Sequence, residues 1–247
     1  MKNSLKTILA FSAAFLVSVV FAFGQNKMTV DSVFAHYYDA TGGEDLWKNI
    51  NSYSMKRTYS SGSAAGYDSE IYVSMPEQAM SKSKIIMNRN FIYGVKGTQS
   101  WLKIPIGGSD KATKYQVKDL SQSEQSAMRL EMYDLLAPFI NYKDRALVAT
   151  LVGPEKLDGK NVQQVELQGR GVKYNLYFDA DTGLLVREKQ TLDGVVTTTD
   201  FSDYKKSAYG IMYPATVVEI DSKTNVKTTI TSSLAVNGTI SPEYFQR

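Results

Sequence analysis

The sequence predicts a mainly β (α+β) protein built on one long antiparallel sheet, and three observations carry that prediction. From Ser52 to Asn237 one strand-like run follows another, broken by a single convincing amphipathic helix at 121–137. Several runs set large apolar side chains on one face at period two: Tyr53, Met55 and Tyr59; Tyr67, Ile71, Val73 and Met75; Phe91, Tyr93 and Val95. Turn chemistry separates the later runs, at Asp158-Gly159, Asp179 to Gly183 and Asp193-Gly194. Such a sheet must bury its apolar face by closing into a barrel, packing on a second sheet, or accepting a cover. One helix is too little to cover so many strands. The concave face is therefore packed by its own side chains or left as a lined cavity, and the cavity is the reading adopted.

Each element has its own signal. Residues 1–24 read as a secretory signal peptide: Lys2 and Lys6 precede an apolar run from Ile8 to Phe23, and Ala22-Phe23-Gly24 supplies a small-x-small cleavage pattern. The mature chain, 25–247, shows no linker or compositional break and reads as one domain. A helix is expected over 29–41, where Val30, Val33, Phe34, Tyr37 and Tyr38 share a stripe and Gly42-Gly43 stops it. A short turn of helix follows at 44–50, carrying Trp47. Strands are expected at 52–60, 66–75, 77–87, 90–96 and 99–105, with Pro76 at an edge or bend. The stretch 105–118 reads as a loop with its tip at Gly107-Gly108-Ser109-Asp110. Ser121 and Glu124 form a capping box at the start of the 121–137 helix, whose Met128, Met132, Leu135 and Leu136 make one stripe before Pro138. Further strands are expected at 146–156, 161–168, 172–179, 184–191, 195–204, 211–221 and 225–236.

The inventory of reactive groups argues for a binding protein rather than an enzyme. There is no cysteine, so thiol nucleophiles, cysteine zinc sites and disulfides are excluded. His36 is the only histidine and reads as a plain surface residue of the first helix. The Gly153 to Lys160 stretch is one residue too long for a phosphate loop, and Asn161 stands where Ser or Thr is needed. Asp179, Asp181 and Gly183 lack the later ligands of a calcium loop and are explained by a hairpin turn. Neither a cofactor nor a metal is expected. Loss of Lys2 and Lys6 with the leader lowers the formal charge from +3 to +1, and no Lys/Arg cluster is long enough to track a phosphate backbone. Nucleic acid is therefore not an expected partner.

Arg57 shares a strand face with Tyr53, Met55 and Tyr59. A guanidinium inside an apolar cavity is costly unless paired. Either it points inward and finds helix carbonyls, Glu131 or Asp134 above it, or it lies at a rim with its head in water.

Several stretches resemble a known family: Ala40-Thr41-Gly42-Gly43 with Leu46, Ser52-Tyr53-Ser54-Met55-Lys56, Asn141-Tyr142-Lys143, and Leu151-Val152-Gly153 with Leu157-Asp158-Gly159-Lys160. Tyr177-Phe178-Asp179 with Thr182 to Val186, and Phe201-Ser202-Asp203-Tyr204 with Gly210-Ile211 and Tyr213-Pro214, complete the set. Together they resemble the outer-membrane lipoprotein-sorting-protein-like chains of Bacteroidetes, similar in turn to the LolA/LolB carriers. That resemblance implies an unclosed antiparallel β-barrel of about 11 strands with an N-terminal helix and a helical lid over a hydrophobic cavity. It implies a periplasmic, monomeric carrier of the acyl chains of lipoproteins or lipids, serving envelope membrane proteins. The missing cysteine fits the soluble carrier rather than the anchored acceptor. Arg57 is the positional candidate for the family's lid-engaging arginine.

The cavity is expected to be lined by Tyr53, Met55, Arg57, Ile71, Val73, Met75, Phe91, Tyr93 and Trp101, and closed by Met128, Met132 and Leu135. Burying about 14 methylenes at ~0.8 kcal/mol each gains roughly 11 kcal/mol from water, more than the ~8.2 kcal/mol of a micromolar complex. Extraction from a bilayer nearly cancels that gain, so a shuttle needs a partner or a mobile lid. The first alternative is an envelope protein- or peptide-binding, sensory module on the same scaffold, accepting an added strand near Pro76; a third reading, a hydrolase using a pair of carboxylates, would need an open polar cleft rather than a greasy one.

Overall fold

The structure, a computed structural model, describes residues 28–62, 65–107 and 114–247. The leader expected at 1–24 and the loop tip at Gly108-Ser109-Asp110 lie outside the described residues. Helix α1 (Val30–Ala40) is capped reciprocally by Thr29 and Ser32, and Gly42 and Gly43, with φ of 118° and 102°, turn the chain into α2 (Glu44–Lys48). Six strands follow: β1 (Ser52–Ser61), β2 (Tyr67–Ser74), β3 (Ala79–Ile86), β4 (Arg89–Lys96), β5 (Gln99–Ile106) and β6 (Lys114–Asp119). Helix α3 (Gln122–Asp134) starts at the capping box of Ser121 and Glu124. Seven more strands complete the sheet: β7 (Val148–Leu157), β8 (Lys160–Gly169), β9 (Val172–Asp179), β10 (Leu185–Leu192), β11 (Val195–Lys206), β12 (Met212–Asp221) and β13 (Lys227–Val236). A 3-10 turn at Pro242–Phe245 follows.

All 13 strands form one open antiparallel sheet in the order β6-β5-β4-β3-β2-β1-β13-β12-β11-β10-β9-β8-β7. Two expectations need correction, the first being the strand number, about 11 expected against 13 among the described residues. The supposed loop at 105–118 contains β6, whose Gln116 and Val117 pair with Ile104 and Lys103. As an edge strand, with nearly every residue exposed, β6 lacks the apolar alternation that betrays a strand. Pro76 sits in the turn at 75–78, the bend expected of it, but it joins the two inner strands β2 and β3; the edges are β6 and β7, so a strand could not be added beside Pro76.

The sheet is rolled, as its contacts with α3 require. Lys82 on β3 and Gln190 on β10 both reach a single turn of α3, through Glu131 and Asp134. Six interstrand steps separate β3 from β10, ~29 Å on a flat sheet at about 4.8 Å each. Only a strongly curled sheet brings both to one helical turn.

One end of the concave face is solidly packed. Phe34 and Tyr37 of α1 meet Phe139 and Phe178, with ring centroids 4.5–6.0 Å apart, and Phe34 stacks on Phe139. Trp47 of α2 joins them, donating its Nε1–H to Thr41 Oγ1 at 2.9 Å. His36 is exposed on α1, and its backbone carbonyl and ring leave no room for a Cβ at Gly183. Hairpins at Asp158-Gly159 and Asp193-Gly194 have positive φ at both central residues, as two-residue turns of this twist demand. At the 179–183 turn, Asp179 Oδ1 accepts the backbone N–H groups of Asp181 and Thr182, satisfying it as turn chemistry.

The convex face has a smaller cover. The C-terminal turn packs on β3 and β4, Tyr244 stacks on Tyr72 at 3.7 Å, and Phe245 is buried.

Candidate functional site

Helix α3 is held across the rolled sheet by polar contacts. The Tyr53 hydroxyl donates to the Met132 carbonyl at 2.8 Å, and Lys82 Nζ pairs with Glu131 at 2.5 Å. Asp134 accepts from Tyr174 at 2.8 Å, Gln190 at 3.1 Å and Arg145 at 3.4 Å. Near its N-terminus Gln125 donates to the Thr98 carbonyl at 2.9 Å. Arg145 also donates to the Pro138 carbonyl at 2.7 Å and lies over the Tyr133 ring, tying the segment after α3 to the helix.

Beneath α3 lies a cavity of about 370 Å³, within the range of small-ligand sites. Met55, Leu130, Leu135, Phe201 and Val217 form its apolar wall. Arg57, Lys82, Glu131, Asp134, Glu188 and Glu219 also line it, with Tyr59, Tyr67, Gln190, Thr199 and Ser232 between. It is not the uniformly greasy hollow the sequence suggested.

Arg57 points inward and is only 8% exposed. It does not engage α3. Its Nε donates to Ser232 Oγ and one terminal nitrogen to the Tyr59 hydroxyl, both at 3.2 Å, and among the described residues no carboxylate lies within ion-pair distance. Lys82, not Arg57, is the strand cation that reaches α3, through Glu131. Burial draws the Arg57 pKa down, and Tyr59 and Glu219 more than restore it. The carboxyls are pushed the other way. Burial raises Asp134 to about 6, against the pull of Arg145 and Tyr174. Burial, then the fields of Asp134 and Glu219, hold Glu188 well above the usual carboxylate range. Burial likewise raises Glu219, although Arg57 opposes it. Glu188 is 6% exposed and has no hydrogen-bond or ion-pair partner among the described residues.

Of the twelve expected site residues, Met55, Arg57 and Leu135 line this cavity. Tyr53, Ile71 and Val73 are fully buried on the same face, but in the packed core with Met128 and Met132 of α3. Met75 is in the β2–β3 turn against that core, and Tyr93 packs partly against it from β4. Phe91 is half-buried on the same face of β4, opposite Lys84 and beside the Arg89 guanidinium, and does not line the cavity. Trp101 is on the other face. It pairs with Gly94, which pairs with Ser81 and so belongs to the convex side, and a Cβ at Gly94 would lie 2.2 Å from the indole.

The residues missed were mostly charged. Strand parity reveals Tyr59 and Tyr67 alongside Arg57, and places Glu188, Gln190 and Leu192 on one face of β10. Nothing in the sequence brings β3 and β10 to opposite sides of one helix.

No family model and no curated protein matches the sequence. Solved structures match the architecture. A LolA superfamily protein of Nitrosomonas europaea aligns over 89% of this chain and 98% of its own, at 14% identity and a TM-score of 0.58. A putative outer membrane lipoprotein-sorting protein domain from Vibrio parahaemolyticus aligns over 87% and 93%, at 15% identity and 0.55. A DUF1329 family protein from Desulfovibrio piger follows at 14% identity and 0.51, over 88% and 97%. The fold is therefore LolA-like.

Proposed function

We propose that the chain is a non-enzymatic carrier of the cell envelope, secreted by its leader, which holds the acyl chain of a lipid or lipoprotein beneath α3. The observation that carries this is the 370 Å³ hollow between the rolled sheet and the helix, with an apolar wall of Met55, Leu130, Leu135, Phe201 and Val217. A LolA-like fold, shared with a lipoprotein-sorting protein domain, supports the reading. In this account α3 is a lid, and ligand entry requires release of the contacts around Glu131 and Asp134.

Mass spectrometry of natively purified protein, followed by titration with a fluorescent fatty acid, tests the proposal. Saturable binding that Leu135→Asp weakens by about tenfold is expected. Absence of bound lipid together with absence of saturable binding removes the carrier reading. A second reading, docking of an envelope protein by strand addition, draws on a different observation: edge strand β7 exposes Val148 at 63% and Val152 at 57%. Capture of a defined envelope protein, abolished by Val152→Lys with the cavity intact, would favour it.

A further inference from the structure

We propose that the polar half of the cavity is a head-group site for a zwitterionic single-chain amphiphile, with its anionic group on Arg57 and its cationic or N–H-bearing group on Glu219 and Glu188. The inference rests on the carrier reading and specifies its ligand class.

A guanidinium and a carboxyl line one hollow and are each left short of partners. Arg57 is more than nine-tenths buried, bonded only to two neutral hydroxyls, with its second terminal nitrogen free of any hydrogen bond among the described residues. Glu188 is equally buried and bonded to nothing among the described residues. The cross-strand pairs Glu188–Thr199 and Thr199–Glu219 put both glutamates in one row on the concave face, flanking a threonine hydroxyl. Arg57 and Glu219 line the same cavity and, among the described residues, form no ion pair with each other.

Neither a pure anion nor a pure cation completes this arrangement. An anion on Arg57 leaves the glutamate row without a donor. A cation on the glutamates meets the fields of Arg57 and Lys82. A head group carrying both charges supplies each wall with the partner it lacks and lets the glutamates ionise, since a buried carboxylate is tolerated when paired. The tail then lies along Met55, Leu135, Phe201 and Val217.

The test is calorimetric titration of the mature protein with three amphiphiles of matched chain: a zwitterionic lysophosphatidylethanolamine, an anionic lysophosphatidylglycerol and a cationic alkylammonium. The zwitterion is expected to bind at least ~tenfold more tightly than either of the others. Arg57→Gln should erase its advantage over the cation, and Glu188→Gln combined with Glu219→Gln should erase its advantage over the anion. Any other ranking for the wild-type protein overturns the head-group assignment while leaving the carrier reading standing. Binding of none of the three overturns both. The wild-type ranking decides even where a variant fails to fold, and an unchanged ranking in folded variants overturns the residue assignment.

Discussion

Tyr53 and Arg57 lie four residues apart on the same face of β1, and their surroundings could hardly differ more. Tyr53 is fully buried among Ile71, Val73 and Met132, its hydroxyl spent on the helix above. Arg57 faces a hollow that it shares with Glu188 and Glu219 and has no counter-ion among the described residues. The concave face thus divides into a filled end, closed by α1, α2 and the Phe34–Phe139 stack, and an open end beneath α3. The filled end accounts for stability. At the open end local stability is given up: buried carboxyls are held above their ordinary range and a guanidinium lacks a counter-ion. Polar groups placed this way weaken a fold, so their presence argues for a ligand that completes them.

Substitutions should therefore act in opposite directions at the two ends. The largest effect is expected for Phe139→Ala, which empties the centre of the aromatic cluster and should destabilise by about 3–5 kcal/mol in urea unfolding. A loss below ~1 kcal/mol would break the comparison. At the open end Glu188→Leu should stabilise the ligand-free protein at pH 7 by about 1–3 kcal/mol, because an unsatisfied buried polar group is removed. A clear loss of stability would show that Glu188 has a structural partner.

The same carboxyls set a pH dependence whose sign is unusual. With Asp134 raised from its ordinary 3.8 to about 6, the folded state binds more protons than the unfolded state between those values. Stability from this group therefore falls as pH rises from 3.8 towards 6, and Glu188 and Glu219 contribute in the same direction. Asp134→Asn should flatten that part of the profile, as measured by thermal unfolding across pH.

A smaller change is expected from Tyr53→Phe. Loss of the bond to the Met132 carbonyl should remove about 0.5–1.5 kcal/mol and speed amide exchange in α3 more than in α1. The smallest is Lys48→Ala, which breaks a solvent-exposed pair with Glu44 on the outer side of α2 and should change stability by less than ~0.5 kcal/mol.

How much of this was legible in the sequence depends on whether the governing interaction is local. The capping box at Ser121 and Glu124 and the Asp-Gly hairpins are short-range features that could be read directly; the β1 alternation gave Arg57 its face, but left open whether its head turned inward or reached water at a rim. Trp101 was assigned to the wrong face, because β5 carries large apolar residues on both sides and only the opposing Gly94 creates the niche it fills. Lys82 sits in a Ser-Lys-Ser-Lys run that looks polar throughout, and its inward role appears only when α3 presents Glu131. The charged lining of the cavity depends on register and on the roll of the sheet. Neither is written in any one segment, which is why an apolar lining was the natural expectation.

The pairing of β1 with β13 at the middle of the sheet has a consequence for biogenesis. Arg57 meets Ser232 across 175 residues, so the two halves of the sheet stay separate until nearly all of the polypeptide has been made. Such long loops close slowly. During synthesis the chain passes through a stage in which β1 and its neighbours present an unfilled edge and bare apolar residues, a state in which a holding chaperone would find its substrate.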